Sequence, residues 1–235
     1  SMGSIAASWI NSPVLGLEVA AMFLWWVKRA ITYQSDMVLA ARKMVPVLVA
    51  IMMWAFSTYL IEKGLHHLIK IDFITASLVT SSLSNTKESI NSLFTIPLIF
   101  SAALFSFAHG DNDVANAVGP LAAIYDALNS SEISAKASIP LWVMMIGALG
   151  ISIGLMLFGP KLIRTVGSEI TELDQIRAFA IAMSAAITVI IASEFGMPVS
   201  STHIAVGAVL GVGFLREYLK RNYAEAIVVI QEHPS

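Results

Sequence analysis

Cysteine is absent from this chain of 235 residues, and charged residues are scarce. Without cysteine the chain can form neither a disulfide bond nor a metal site built from thiolates. Charged side chains make up 13% of the residues, about half of the roughly 25% that is typical of soluble domains. The net charge of −2 offers no basic face of the kind that nucleic-acid binding requires. We therefore expect no nucleic-acid partner.

Apolar residues dominate what is present. They make up 57% of the chain, and the mean hydropathy is +0.76. Apolar runs of about 17–25 residues are long enough to span the hydrocarbon of a bilayer. The sequence predicts five crossings, which cover residues 5–27, 44–65, 93–128, 139–158 and 176–215. The expected fold is an all-α integral membrane protein, a multi-pass helical bundle in the lipid bilayer of the cell (inner or plasma) membrane.

Two of the five stretches are too long for one plain helix. Gly110 and Gly119-Pro120 interrupt residues 93–128, and Gly196-Met197-Pro198 interrupts residues 176–215. Broken helices at membrane depth are tolerated where they line a cavity or are buried in protein. We therefore predict two discontinuous helices whose breaks meet near the bilayer centre. The stretch at residues 139–158 is expected to end at Gly159-Pro160.

The basic clusters suggest an orientation and a division of the chain. Lysine and arginine favour cytoplasmic loops, so the segment from Lys28 to Lys43 and the segment from Arg216 to Arg221 are both expected on the cytoplasmic side. Four crossings between them satisfy this, if each interrupted stretch counts as one crossing. A re-entrant hairpin in either stretch remains open. The expected divisions are a first span with a basic cytoplasmic linker (1–43), a second span with an outer loop (44–92), a transport repeat with both polar segments (93–215), and the start of a cytoplasmic segment (216–235).

The first polar segment lies inside the third apolar stretch. Residues 109–120 read His-Gly-Asp-Asn-Asp-Val-Ala-Asn-Ala-Val-Gly-Pro, with two carboxylates and two carboxamides. An ionisable residue at membrane depth costs a few kcal/mol and indicates a functional site by default. Hard cations prefer oxygen ligands from carboxylates and carboxamides, which Asp113, Asn112 and Asn116 provide.

The second polar segment, residues 194–203, reads Glu-Phe-Gly-Met-Pro-Val-Ser-Ser-Thr-His. Proline suits the first turn of a helix because it lacks an N–H group. Hydroxyls and unpaired N–H groups then cluster at a helix start, an arrangement that binds anions; these hydroxyls belong to Ser200, Ser201 and Thr202. We expect His203 to orient this loop, and Glu194 to be buried with a partner or to face a cavity.

The two segments together suggest the class of ligand. Hydroxyls and N–H groups donate to an oxyanion, but the carboxylates of Asp111 and Asp113 repel an anion unless a cation or a proton intervenes. In secondary transporters, paired helix breaks mark the substrate and ion sites. The residues therefore predict transport of an oxyanion coupled to Na⁺ or H⁺, with no catalysis and no cofactor beyond the coupling ion.

At these residues the chain resembles the inorganic phosphate transporter (PiT) family. The family's two inverted halves each carry a Gly-Ala-Asn-Asp-Val-Ala-Asn-type motif and a Pro-Val-Ser-Thr-Thr-His-type motif, which residues 110–116 and 198–203 match. Residues 8–13, Ser-Trp-Ile-Asn-Ser-Pro, resemble the segment that follows the family's first half. The resemblance implies symport of inorganic phosphate with Na⁺ or H⁺, and a phosphate site between two inverted repeats. It also allows a homo-oligomer.

The resemblance assigns roles residue by residue. The phosphate-binding positions are Asn112, Asp113, Ser201 and Thr202, with Ser200 beside them, and the cation positions are Asp113 and Asn116. Two residues depart from the pattern: Asp111 replaces a small residue and adds a carboxylate that could carry the coupling cation, and Ser201 replaces threonine. Because each motif occurs once, we expect this chain to be the C-terminal half, whose partner is the N-terminal repeat of the same protein.

Several alternatives stay open at this point. Asp113 with its neighbouring amides could be a structural network, and the three hydroxyls could be simple helix caps. His109 and His203 could belong to the metal site of an intramembrane hydrolase, or the chain could be a structural subunit without a site. Sulfate is the nearest rival substrate, although it carries no proton at neutral pH for a carboxylate to accept.

Overall fold

The computed structural model describes residues 2–62, 91–130, 139–165, 173–197 and 199–232. Six helices account for nearly all of these residues, namely α1 (Met2–Val27), α2 (Met37–Glu62), α3 (Thr95–Ser130), α4 (Leu141–Thr165), α5 (Gln175–Glu194) and α6 (Ser201–Glu232). A π-helical turn, Lys28–Thr32, extends α1. The outer loop predicted before residue 92 falls mostly on residues 63–90, outside the described residues. The all-α prediction is confirmed.

Three of the described helices are long and apolar enough to cross a membrane: Ala6–Thr32, Leu141–Thr165 and Gln175–Glu194. Prolines lie inside four helices, at Pro13, Pro46, Pro120 and Pro160. Proline interrupts helices in water far more than in a membrane, where neighbouring groups satisfy the freed carbonyls. Accordingly, the prediction that the fourth apolar stretch ends at Gly159-Pro160 is wrong, because α4 continues through both residues to Thr165.

The predicted break in the third apolar stretch is also wrong. Helix α3 runs without interruption from Thr95 to Ser130 and includes Gly110, Gly119 and Pro120. At 1.5 Å per residue its 36 residues extend over about 54 Å, well beyond the roughly 30 Å of hydrocarbon. The excess length that suggested a break is therefore accommodated by one long helix, and the first polar segment lies in its interior.

The second predicted break is present, and it reverses the chain. Helix α5 ends in a Schellman motif, in which Met197 N–H donates to the carbonyl of Ala192 and Gly196 N–H donates to that of Ser193. Gly196 has φ of 62°, the left-handed conformation that favours glycine. Val189 of α5 and Ile204 of α6 share one buried cluster on either side of this turn. The fifth stretch is thus an antiparallel helical hairpin, the open alternative, and not one interrupted crossing.

Helices α1 and α6 pack in parallel with their backbones in close approach. A Cβ atom on Gly207 would overlap the carbonyl of Pro13, and one on Gly211 would overlap the carbonyl of Leu17. Both contacts advance by four residues on each helix, so the two helices run in the same direction. Their basic ends, at Lys28 and Arg216, therefore lie at the same end of the pair, as the charge pattern predicts.

The remaining helices surround this pair unequally. Phe179 at the start of α5 lies 5.7 Å (ring centroids) from Phe23 of α1 and 5.3 Å from Phe94, just before α3, so α5 and α3 both begin near the basic end. Helix α4 contacts α3 along one side, where Val118 meets Gly147, and most of its other side chains are exposed. The core therefore lies among α1, α2, α3, α5 and α6.

Candidate functional site

The structure brings the two polar segments together at one hydrogen bond. The hydroxyl of Ser201 donates to Oδ1 of Asp113 over 2.6 Å, across 88 residues of sequence. Ser201 is fully buried, and it is the first residue of α6. Asp113 lies eighteen residues after the start of α3, about 27 Å along the helix. The prediction that these segments share one pocket depended on this proximity.

The other carboxylate oxygen of Asp113 also has a partner. Nε2 of His109 lies 3.1 Å from Oδ2, and the two residues are one helical turn apart. The side chains of His109 and Asp113 are 27% and 31% exposed, so the carboxylate is held from two sides and still reaches the surface. Both remaining lone pairs of the carboxylate can therefore accept a ligand from outside.

The start of α6 is capped by a serine hydroxyl, as the helix-cap alternative for the three hydroxyls predicts. Ser200 is the N-cap residue: its Oγ accepts the N–H of His203 over 3.3 Å, and its carbonyl accepts the N–H of Ile204 over 3.0 Å. Capping does not exclude ligand binding, because one side chain satisfies only some of the orphan N–H groups in a first helical turn. Pro198, which we expected in this turn, lies outside the described residues.

The N–H of Ser200 is itself anchored to α1. It donates to Oγ of Ser12 over 3.2 Å, and Ser12 is fully buried. Sequence reasoning missed Ser12 as a site residue. Its signal was present, because a serine inside an apolar span, one residue before a proline, is a polar group that needs a partner.

The two carboxamides of the first segment bind each other. Nδ2 of Asn116 donates to Oδ1 of Asn112 over 2.7 Å, along one face of α3. Asn112 is half-buried and Asn116 is exposed. One amide oxygen and one amide nitrogen are thereby committed, which leaves the oxygen of Asn116 and the nitrogen of Asn112 for other partners.

Four further predicted residues lie outside the hydrogen bonds that join Ser201, Asp113 and His109. The side chains of Thr202 and His203 are exposed on the first turn of α6. Glu194 is exposed at the last residue of α5, and no hydrogen bond or ion pair among the described residues joins it to Asp113. Asp111 lies on the opposite side of α3, where it lines a cavity of about 300 Å³ with Met144, Met145 and Ala148 of α4. Of the two alternatives for Glu194, burial with a partner is wrong, and exposure to a cavity stays a prediction.

The described groups suit a hard cation and an anion better than a transition metal. In the part of the chain that the structure describes, no three His, Cys, Asp or Glu side chains converge. Carboxylate, hydroxyl and amide oxygens are ligands for hard cations. The beginning of α6 contributes backbone N–H groups and the positive end of a helix dipole, which favour an anion.

Comparison with known proteins places this geometry in context. Residues 1–230 match the phosphate transporter family (PHO4). A protein of Helicobacter pylori (strain ATCC 700392 / 26695) named "Putative phosphate permease" is 51% identical over 99% of this chain and 48% of its own length. A protein of the same description from Pyrococcus abyssi is 35% identical over 92% of this chain and 57% of its own length.

A solved structure, described as the sodium-dependent phosphate transporter, superposes with a TM-score of 0.72 at 30% identity. The match covers 90% of this chain and 57% of that one. These likenesses are to transporters and not to enzymes, and they confirm the resemblance carried by the two motifs. The chain spans about half the length of the curated relatives it matches.

Proposed function

Because this chain belongs to the phosphate transporter family, we propose that it forms one half of the substrate site in a cation-coupled phosphate symporter of the cell membrane. The observation that carries the proposal is the 2.6 Å bond between Ser201 and Asp113. That bond joins the interior of α3 to the start of α6 and so links the two polar segments.

The groups at this junction favour two different ligands, a cation and an oxyanion. The single hydroxyl hydrogen of Ser201 is used in the bond to Asp113, so it cannot donate to an anion, and the partly exposed carboxylate of Asp113 presents its remaining lone pairs to a ligand. Lone pairs attract a cation. The N–H groups in the first turn of α6 and the exposed hydroxyl of Thr202 can donate to an oxyanion beside it. A bound cation would offset the repulsion between phosphate and the carboxylate.

We assign the phosphate side to Thr202, Ser200, Asn112 and the start of α6, and the cation side to Asp113 and Asn116, with the buried hydroxyl of Ser201 orienting Asp113. Thr202, His203 and Asn116 are exposed, so the junction is open on one side. An open half-site is what a second, inverted repeat would complete. Asp111 is left out of this assignment because it faces α4.

Sodium is the coupling ion that we favour. The supporting observation is the likeness to a structure described as the sodium-dependent phosphate transporter. Oxygen-only ligands at the junction also fit Na⁺, which is a hard cation.

The test is phosphate uptake by cells that produce this chain together with the unmatched half of the Helicobacter pylori relative; we refer to this as the two-half assay. We expect uptake of labelled phosphate in sodium medium and little in choline medium at the same pH. Uptake that depends on the proton gradient and not on sodium would identify H⁺, and not Na⁺, as the coupling ion. Membrane-inserted protein that takes up no phosphate in either medium would contradict the proposal.

Sulfate provides the substrate control. At neutral pH phosphate carries a proton that the carboxylate of Asp113 can accept in a hydrogen bond, whereas sulfate has none to donate. Labelled phosphate uptake should therefore persist in the presence of an equal concentration of sulfate. Strong inhibition by sulfate at that concentration would show that the site takes tetrahedral oxyanions in general.

A further inference from the structure

His109 has no ligand role in the site as assigned above, yet it touches the central carboxylate. Its Nε2 atom lies 3.1 Å from Oδ2 of Asp113. Its other ring nitrogen, Nδ1, is buried and has no hydrogen-bond partner in the part of the chain that the structure describes. A buried polar atom of this kind is uncommon and calls for a physical reason.

The two ring nitrogens fix the tautomer. A neutral imidazole carries one hydrogen, on one nitrogen or the other. Because Nε2 faces a carboxylate oxygen at hydrogen-bond distance, a hydrogen belongs on Nε2, and Nδ1 is the ring nitrogen left without a partner among the described residues. His109 is therefore arranged as a donor to Asp113, and the unsatisfied Nδ1 atom is the cost of that arrangement.

The ring is also fixed in orientation. The Phe105 ring lies one turn earlier on α3, with its centroid 5.6 Å from that of His109 and a tilt of 53°. Phe105 packs against a buried cluster that combines α3, α5 and α6, formed by Ala108, Ala185, Val189 and Ile204. The aromatic wall behind His109 thus belongs to the same packing that holds the hairpin against α3.

We propose that His109 is a positioning residue that acts through Asp113. Its N–H group holds Oδ2, so that Oδ1 stays directed at the hydroxyl of Ser201 and the carboxylate plane cannot rotate. The remaining lone pairs of Asp113 then point in fixed directions before any ligand arrives. This inference rests on the proposed function, because the orientation of Asp113 affects transport only if Asp113 binds a ligand.

Three substitutions test whether His109 acts as a hydrogen-bond donor or only fills space. His109→Gln places an amide N–H at about the reach of Nε2. His109→Asn carries the same amide one carbon shorter, and His109→Leu fills the space without any donor. Each variant is studied in the two-half assay, with the phosphate concentration at half-maximal uptake and the maximal rate measured separately, and with thermal stability of the purified protein as a check on folding.

We expect His109→Gln to stay within about threefold of the parent in both parameters. His109→Leu and His109→Asn should raise the half-maximal phosphate concentration by about tenfold, the loss expected for one charge-assisted hydrogen bond. Ser106→Ala is the matched control, because Ser106 lies on the same helix and its hydroxyl donates to the carbonyl of Ala102 within that helix. It should leave both parameters unchanged.

Two results would overturn the assignment. If His109→Leu supports uptake as well as His109→Gln does, the imidazole only fills space. If folded Gln and Asn variants are equally impaired, a donor at the Nε2 position is not what matters. Asp113→Asn, measured alongside, separates the two proposals: when it abolishes uptake and all His109 variants are normal, only the role of His109 fails, whereas full uptake in Asp113→Asn removes the proposed function as well.

Discussion

The two polar segments of the site are built in opposite ways. Asp113 lies in the interior of the unbroken helix α3, where the backbone groups are used by the helix itself, so α3 contributes side chains alone. Ser201 begins α6, where the first N–H groups have no carbonyl one turn earlier. The start of α6 from Ser200 to Thr202, which we call the apex of the hairpin, therefore contributes backbone donors as well as hydroxyls.

The difference shows how one junction can serve two charges. The helix interior supplies a negative side chain held by neighbours, and the helix start supplies the positive end of a dipole. Each part also depends on a different support: Asp113 on His109 of its own helix, and Ser200 on Ser12 of α1. Breaking either part should consequently damage the site by a different amount.

Removing the charge from the α3 part should have the largest effect. Asp113→Ala is expected to lower phosphate uptake in the two-half assay on the order of 100-fold, because it removes a carboxylate with two charge-assisted hydrogen bonds. Asp126→Asn, on the same helix but thirteen residues further on, is the control and should transport normally. Uptake above a tenth of the parent rate in Asp113→Ala would mean that the junction is a structural network.

Removing the hydroxyl from the apex should have a smaller effect. Ser201→Ala leaves Asp113 with its bond to His109 and without its bond to α6, so we expect uptake to fall about tenfold, as for one hydrogen bond to a charged group. Ser201→Thr keeps the hydroxyl, as the PiT pattern does at this position, and should restore uptake. Equal loss in both variants would indicate that the space at residue 201, and not the hydroxyl, limits transport.

Removing the support of the apex should cost stability first. Ser12→Ala deprives the N–H of Ser200 of its acceptor in a buried place, which should destabilise the protein by about 1–3 kcal/mol. Thermal unfolding of the detergent-purified protein measures this, and Ser152→Ala is the control, because that hydroxyl donates to the carbonyl of Ala148 in its own helix. An unchanged midpoint in Ser12→Ala would show that another group accepts the N–H of Ser200.

The smallest effect is expected for the second carboxylate of α3. Asp111 faces α4 and not the apex, so Asp111→Asn should keep phosphate uptake within about threefold of the parent. The measurement is the same uptake assay at several sodium concentrations. A loss as large as that of Asp113→Ala would return Asp111 to the cation site, where the sequence analysis placed it.

Much of this architecture could be predicted from sequence because composition and motif carry it directly. Apolar runs predicted membrane helices, and the polar residues within them predicted where the chain would invest in a site. The bond between Ser201 and Asp113 follows from placing both motifs in one pocket. The His109 contact was also accessible, since residues four apart on a helix lie on the same face.

Helix continuity and chain direction could not be obtained in this way. Glycine and proline residues such as Gly110, Gly119 and Pro120 occur in broken helices and in continuous ones, and contacts with neighbouring helices determine which of the two forms. Likewise, an apolar length of forty residues is the same for one long crossing as for a hairpin; the turn at Gly196 and the buried cluster shared by Val189 and Ile204 distinguish the two. The exposure of Glu194 depends on the same reversal.

The glycine contacts between α1 and α6 have a mechanical consequence. At Gly207 and Gly211 the two main chains touch without an intervening side chain, so no rotamer change can make room for sliding. We therefore expect the start of α6 and Ser12, the serine that anchors it, to move together. If transport requires a displacement within this half, we expect it between α3 and α4, because most side chains of α4 are exposed and few packing contacts would be lost there.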